Sequence, residues 1–148
     1  MTVRGGCYHL VIRLQRAFEA PIGRLGRHRF PAGWYVYTGS ARAGLDARIN
    51  RHLRRGKPLH WHIDYLLASP AARIVQVVKL TDARLTECGL NRTIGKLPGA
   101  RVIVPGFGAS DCRASCPAHL YYFRTRPSLN ASGPRSNITN LEKPRCPS

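Results

Sequence analysis

The sequence predicts one small α/β domain of the α+β type, a central antiparallel sheet of about three strands flanked by helices, and three observations predict it. Cys7 to Leu14 alternates, placing Tyr8, Leu10, Ile12 and Leu14 on one face of a half-buried strand. Trp34 to Gly39 is dense in aromatic and β-branched residues, which suit a pleated surface. Leu45, Ile49 and Leu53 then recur at helical spacing, and a stripe of that width must pack on another element.

The elements follow in chain order. From Arg16 to Gly33 the chain is punctuated by Pro21, Gly23, Gly26, Pro31 and Gly33, leaving room for one short strand around Ile22 to Leu25. A helix is expected from about Gly44 to Arg55, with Asp46 in its first turn and Gly56 and Pro58 as stop signals. Trp61 to Ala68 reads as a shorter helix that Ser69-Pro70 ends. Arg73 to Leu80 is a strand by its β-branched content, and Ala83 to Gly95 a helix that puts Glu87 and Asn91 on one face. A short strand from Arg101 to Val104, a Gly-rich loop from Pro105 to Cys112 and a final strand from Ala118 to Arg124 complete residues 1–124. Beyond Thr125 the composition turns to Pro, Ser, Asn and Arg, so residues 125–148 are expected to be a basic, disordered tail.

A chain of 148 residues is long enough to bury a core without a disulfide framework. Its 24 Lys and Arg against 7 acids give a formal charge of +17, a field that draws polyanions. Most of these cations are Arg, whose planar fork matches phosphate oxygens, so nucleic acid is the leading partner. A solvated, ribosome-like basic surface is the alternative that charge leaves open. No apolar run is long enough to span a bilayer, and Met1 to Gly6 lacks the apolar stretch of a secretory signal. A cytoplasmic protein with no membrane partner is expected, its five cysteines reduced or ligating.

The chemistry concentrates in Tyr35-Val-Tyr37-Thr38-Gly39-Ser40-Ala41 and the helix that follows, where Arg48 and His52 stand four apart on one face. Phosphodiester hydrolysis needs a nucleophilic water, a base, cations to neutralise developing charge and usually a carboxylate-held metal. Tyr8, Tyr37, Arg48, His52 and Glu87 can fill these roles. Glu87 is conspicuous in a chain so poor in acids; a surface ion pair is its other reading. Arg42, Arg51, Arg54, Arg55 and Lys57 surround the same helix and are candidates for holding a nucleic-acid backbone. His60, His62 and Asp64 crowd one short segment, where Asp64 can accept from an imidazole N–H and raise its basicity. Asp111, Cys112 and His119 can line the site from the Gly-rich loop. Cys112, Cys116 and His119 can also bind zinc, but spacing places no fourth ligand, Cys88 being only a guess, so buried thiols beside a satisfied histidine are the favoured reading.

The ordered series Gly6-Cys7-Tyr8, Tyr37-Thr38-Gly39-Ser40-Ala41, Arg48 and His52 on a helix, and Glu87 on a later helix resembles the GIY-YIG nuclease superfamily. More narrowly it resembles a little-characterised, stand-alone prokaryotic branch of unknown function, through Gly23-Arg24-Leu25-Gly26, Phe30-Pro31-Ala32-Gly33, the block from His60 to Leu66, Glu87-Cys88 and Gly106 to Cys112. The likeness runs from about Gly6 to Phe123. It implies a GIY-YIG-like fold and a metal-dependent endonuclease, for which DNA is expected ahead of RNA, with strandedness and sequence preference left open. Tyr8, Tyr37 and His52 would then shape or deprotonate the attacking water, Arg48 would steady the scissile phosphate, and Glu87 would hold one Mg²⁺ or Mn²⁺. A basic nucleic-acid-binding module of the same fold without turnover is the alternative. Cys7 and Thr38 stand where the superfamily motifs carry apolar residues, and Cys112 and Cys116 lie further apart than in the branch.

Overall fold

A computed structural model describes residues 5–82, 84–109, 112, 114–129 and 136–141. Its main sheet is antiparallel throughout and has five strands rather than the three expected. The three long central strands are β4 (Gly33–Ala41), β1 (Gly6–Leu14) and β5 (Ala72–Leu80), with β1 in the middle. Outside them, β6 (Leu120–Phe123) pairs with β4 and β7 (Ser136–Asn140) pairs with β5. The miscount has a physical cause. The polar strand Ser-Asn-Ile-Thr-Asn of β7 is held by its backbone ladder and by Ile138 packing near Val78 and Leu80, neither of which marks its composition. It lies within the segment whose composition predicts a disordered tail.

Two short strands, β2 (Phe18–Pro21) and β3 (Arg27–Phe30), form a separate hairpin. The strand expected around Ile22 to Leu25 is instead a 3₁₀ turn, Gly23–Leu25, between them. Arg101 makes a single bridge to Tyr122, so the strand expected from Arg101 to Val104 does not form. Three helices complete the fold: α1 (Leu45–Leu53), α2 (His62–Leu67) and α3 (Glu87–Gly95), the last capped by the Thr86 hydroxyl accepting from Gly89 N–H at 3.0 Å.

Strand alternation divides the core. Tyr8, Leu10, Ile12 and Leu14 pack with Ile49 of α1, Ile63 and Leu66 of α2, and Phe107. On the opposite face, Val11, Val36 and Val75 pack with Ile94 of α3. Both faces of β1 are therefore buried. No helix among the described residues is long and apolar enough to cross a membrane.

Burial lowers two histidines, His9 and His52, each to about 4. His9 Nδ1 lies 2.8 Å from Thr38 Oγ1, and both side chains are under the sheet face that α3 covers. An unfolded histidine titrates near 6.5. Between that value and about 4 the unfolded chain binds more protons than the folded one, so stability rises with pH in this window. Acidification from pH 7 to pH 4 is expected to cost several kcal/mol, up to about 3 per histidine. Urea unfolding across that range measures it, and a His9→Gln variant should flatten the dependence.

Candidate active site

A cleft of about 790 Å³ opens where β1, β4, the start of α1, the segment before α2 and the start of α3 converge. Tyr8, Tyr37, Arg48 and Glu87 all line it. Cross-strand register explains the first pair. Tyr8 lies opposite Gly39 on the neighbouring strand, and its ring occupies the space a side chain there would need: a Cβ on Gly39 would sit 2.5 Å from the Tyr8 hydroxyl. Tyr37, two residues before Gly39, shares that face, with ring centroids 6.3 Å apart.

Helix α1 supplies the next two groups from one face. His52 is buried, and its Nε2 lies 2.6 Å from the Tyr8 hydroxyl, while its Nδ1 has no hydrogen-bond partner. Arg48, one turn earlier, is half-buried and reaches the cleft. Its Nη1 donates to the Ser40 carbonyl at 2.6 Å, and its guanidinium lies 4.9 Å from the Trp61 ring centroid. One edge of the fork is thus fixed, and the cation is held rigidly over the cleft.

Glu87 enters from the first turn of α3. Its Oε1 accepts from Ser40 Oγ at 2.9 Å, and its Oε2 lies 3.1 Å from His119 Nδ1. The latter is an ion-pair distance without the alignment of a hydrogen bond, which leaves Nδ1 under-satisfied. Asn91, one turn on from Glu87, is buried and donates to the Ala118 carbonyl at 2.6 Å, fixing α3 against the chain just before β6. Burial works to raise the Glu87 carboxyl, but His119, Ser40 and the charge of Arg48 outweigh it and hold the carboxyl below its ordinary value. Burial pushes the Tyr8 and Tyr37 phenols well above theirs; Arg48 only partly opposes this.

The segment before α2 closes the opposite wall. Asp64 is fully buried and does not meet an imidazole. It accepts from both Arg51 Nη atoms at 2.9 and 3.0 Å and from the backbone N–H groups of His60 and Trp61 at 2.9 and 2.8 Å. The reason is local: α2 begins only at His62, so His60 and Trp61 precede the helix and Asp64, in its first turn, reaches back to their free N–H groups. His62 Nδ1 accepts from Gly108 N–H at 2.8 Å and ties the Gly-rich loop to this wall. His60 lines the cleft and lies beside Trp61.

Not every cation of the α1 neighbourhood faces the cleft. Arg51 is committed to Asp64 and stacks on Trp61, 4.3 Å from the centroid. Arg55 donates to the carbonyls of Leu67, Ser69 and Ala72, and Lys57 to those of His52 and Arg54, so these side chains tie the end of α1 to its surroundings. Arg42 lines the cleft, and Arg54 is exposed.

Behind Glu87 lies a second set of groups. The sulfurs of Cys88, Cys112 and Cys116 and a ring nitrogen of His119 all lie within 4.8 Å of one another. Cys88 is the fourth partner that spacing alone left open. Cys112 also lines the cleft, while Asp111 lies outside the described residues. Sequence patterns gave no separate role to Ser40, which orients Glu87, or to Trp61, which carries two guanidinium groups; the motif containing Ser40 was the available signal for the first.

Two donor sets of different chemistry are therefore adjacent. Glu87 offers hard carboxylate oxygen at the cleft, suited to Mg²⁺ or Mn²⁺, which retain waters and take further oxygens from phosphate. The thiols and imidazole are softer and suit zinc. No curated protein and no solved structure matches the chain. One family does match, over residues 7–138, and by that match the chain belongs to the family described as Domain of unknown function DUF123.

Proposed function

We propose that this protein is a metal-dependent endonuclease that hydrolyses phosphodiester bonds, with DNA as its substrate and a GIY-YIG-like arrangement of its site. The observation that carries the reading is the convergence of Glu87, Arg48, Tyr8 and Tyr37 on one cleft of a chain with a formal charge of +17. Among the described residues, Glu87 is the acid that lines this cleft.

The division of labour follows from the geometry. Arg48, anchored on one edge by Ser40 and stacked on Trp61, directs its remaining N–H groups at a phosphate and stabilises the charge that builds on it. Arg42, which lines the cleft, and the exposed Arg54 add to the field that attracts the backbone. The two phenols, pushed above their ordinary value by burial, do not ionise by themselves at neutral pH. Tyr8 instead passes a proton along: it takes one from the attacking water as its own crosses the 2.6 Å hydrogen bond to Nε2 of His52, which burial keeps neutral. Tyr37 packs beside this pair and helps place the water. Glu87 would hold Mg²⁺ or Mn²⁺, which when bound would supply charge neutralisation at the phosphate and lower the pKa of water. His52 is a weak base at its lowered value, so the cations of the cleft carry most of the rate enhancement.

The test is incubation of the purified chain with single-stranded, duplex and branched DNA, with and without Mg²⁺. Cleavage that needs the metal supports the proposal, and Arg48→Ala is expected to slow it by about 10²-fold, as for loss of one preorganised charge donor. A second reading, a nucleic-acid-binding module without turnover, is favoured by one observation: both Glu87 oxygens already face partners within the protein. Salt-dependent binding with no cleavage under any of these conditions would select it.

A further inference from the structure

We propose that Cys88, Cys112, Cys116 and His119 form a structural zinc site, built directly behind the Glu87 carboxylate. The ligands come from three places that the fold must bring together: the N-terminal turn of α3, the loop after the Gly-rich segment and the residue just before β6. A tetrahedral zinc with thiolate sulfurs at about 2.3 Å and imidazole nitrogen at about 2.0 Å sets its ligand atoms roughly 3.5–3.8 Å apart. Cys88 Sγ lies 3.4 Å from Cys112 Sγ and 3.9 Å from Nε2 of His119, and no pair in the set exceeds 4.8 Å. These separations bracket the tetrahedral values, so the four groups stand close enough together to share one ion.

His119 is the strongest part of the case. Its imidazole is 1% exposed, and its two nitrogens face different chemistry: Nε2 faces the sulfurs, and Nδ1 faces Glu87 Oε2 at 3.1 Å. A metal on Nε2 forces the other nitrogen to carry the proton and to donate it to the carboxylate, the outer-shell arrangement common at zinc histidines. Nδ1 is under-satisfied without it. The backbone fixes the ring as well, since His119 N–H donates to the Phe107 carbonyl at 2.7 Å and its carbonyl accepts from Thr38 N–H at 3.0 Å. Four closed ligands, three of them thiolates, describe a structural rather than a catalytic zinc. The site would pin α3 to β6 and so fix where Glu87 stands, whether or not the cleft cuts DNA.

The full chain, expressed with zinc and purified under reducing conditions without chelator, should contain close to one zinc per chain by atomic emission. Its cobalt-substituted form should show the intense visible bands of a tetrahedral ion and a strong thiolate-to-cobalt charge-transfer band. Cys88→Ser and Cys116→Ser should each lower zinc affinity by at least about 10²-fold, while Cys7→Ser, outside the set, should not change it. Glu87→Gln should keep the zinc, with affinity weakened by about 10-fold to 100-fold at most, which separates this site from the cleavage reading. Protein that stays metal-free after anaerobic reconstitution, a cobalt spectrum of octahedral oxygen ligation, or a Cys88–Cys112 disulfide formed in preference to metal under reducing conditions would overturn the proposal. The cobalt spectrum of the unmodified chain decides the matter even if the serine variants fail to fold.

Discussion

Glu87→Gln is expected to reduce Mg²⁺-dependent cleavage by on the order of 10³-fold or more while DNA affinity stays close to that of the unmodified protein. The substitution is nearly isosteric. The amide oxygen can still accept from Ser40 Oγ, now 2.9 Å from Oε1, so the start of α3 should hold its position. What is lost is the negative charge and with it the site for a hard divalent cation. Affinity should survive because, on the proposed function, it comes mainly from the positive field and from Arg42, Arg48 and Arg54, none of which is paired with Glu87 by a hydrogen bond in the structure. Losing one negative charge from a chain already at +17 is expected to tighten binding slightly at low salt. Filter binding or anisotropy run beside the cleavage assay separates the two effects. Equal loss of binding and cleavage would instead mean that Glu87 supports the fold.

Asp64→Ala is expected to destabilise the protein by about 3–5 kcal/mol, the usual consequence of removing one partner from a buried ion pair. The carboxylate has no exposed surface, whereas Arg51 retains 21% of its side chain's exposure, so the cost falls mainly on the donors left behind. Two guanidinium N–H groups and the backbone N–H groups of His60 and Trp61 would lose their acceptor together. The effect should extend to function. Trp61 carries both Arg48 and Arg51 on its ring, so loosening the turn before α2 unseats the cation proposed to bind phosphate as well. Asp64→Asn retains the shape and part of the acceptor capacity and should cost less, about 2 kcal/mol. Urea denaturation of both variants measures the difference, and a loss under 1 kcal/mol for Asp64→Ala would show that water replaces the carboxylate cheaply.

The parts of this fold that could be read from the chain are those whose stability is written in side-chain period. β1, β4 and β5 each bury an apolar stripe, α1 buries Leu45 and Ile49 but leaves the expected third member, Leu53, 40% exposed with His52 buried in its stead, and the patterns place all four elements within a residue or two of their observed ends. β7 was illegible because an edge strand is held by backbone hydrogen bonds, to which every residue type contributes alike. The turn at Gly23–Leu25 was mistaken for a strand because Ile22 and Leu25 are apolar for a different reason: Ile22 is fully buried beneath the hairpin it helps to close.

The cleft was legible to the extent that its residues lie on elements with readable faces. Arg48 and His52 share one face of α1, and Tyr8 and Tyr37 share one face of the sheet, so their meeting follows from two periodicities. Asp64 was harder. Its partner depends on where α2 begins, and helix ends are poorly marked by sequence; a start at His62 turns the carboxylate toward backbone N–H groups and Arg51. Arg51, Arg55 and Lys57 were indistinguishable from DNA-binding cations because a basic side chain that bonds carbonyl groups and one that faces solvent look the same in a string of letters. Cys88 could not be joined to Cys112, Cys116 and His119 by spacing, since the contact is made by the packing of α3 against the chain before β6.

The most direct measurement is a single-turnover cleavage time course on defined DNA, run with the unmodified chain and Glu87→Gln purified in parallel, each with Mg²⁺ and with the metal removed. The proposed function predicts cleavage in one of these four reactions, that of the unmodified chain with Mg²⁺. Equal cleavage by the two proteins, or none by either while both bind DNA, would contradict it.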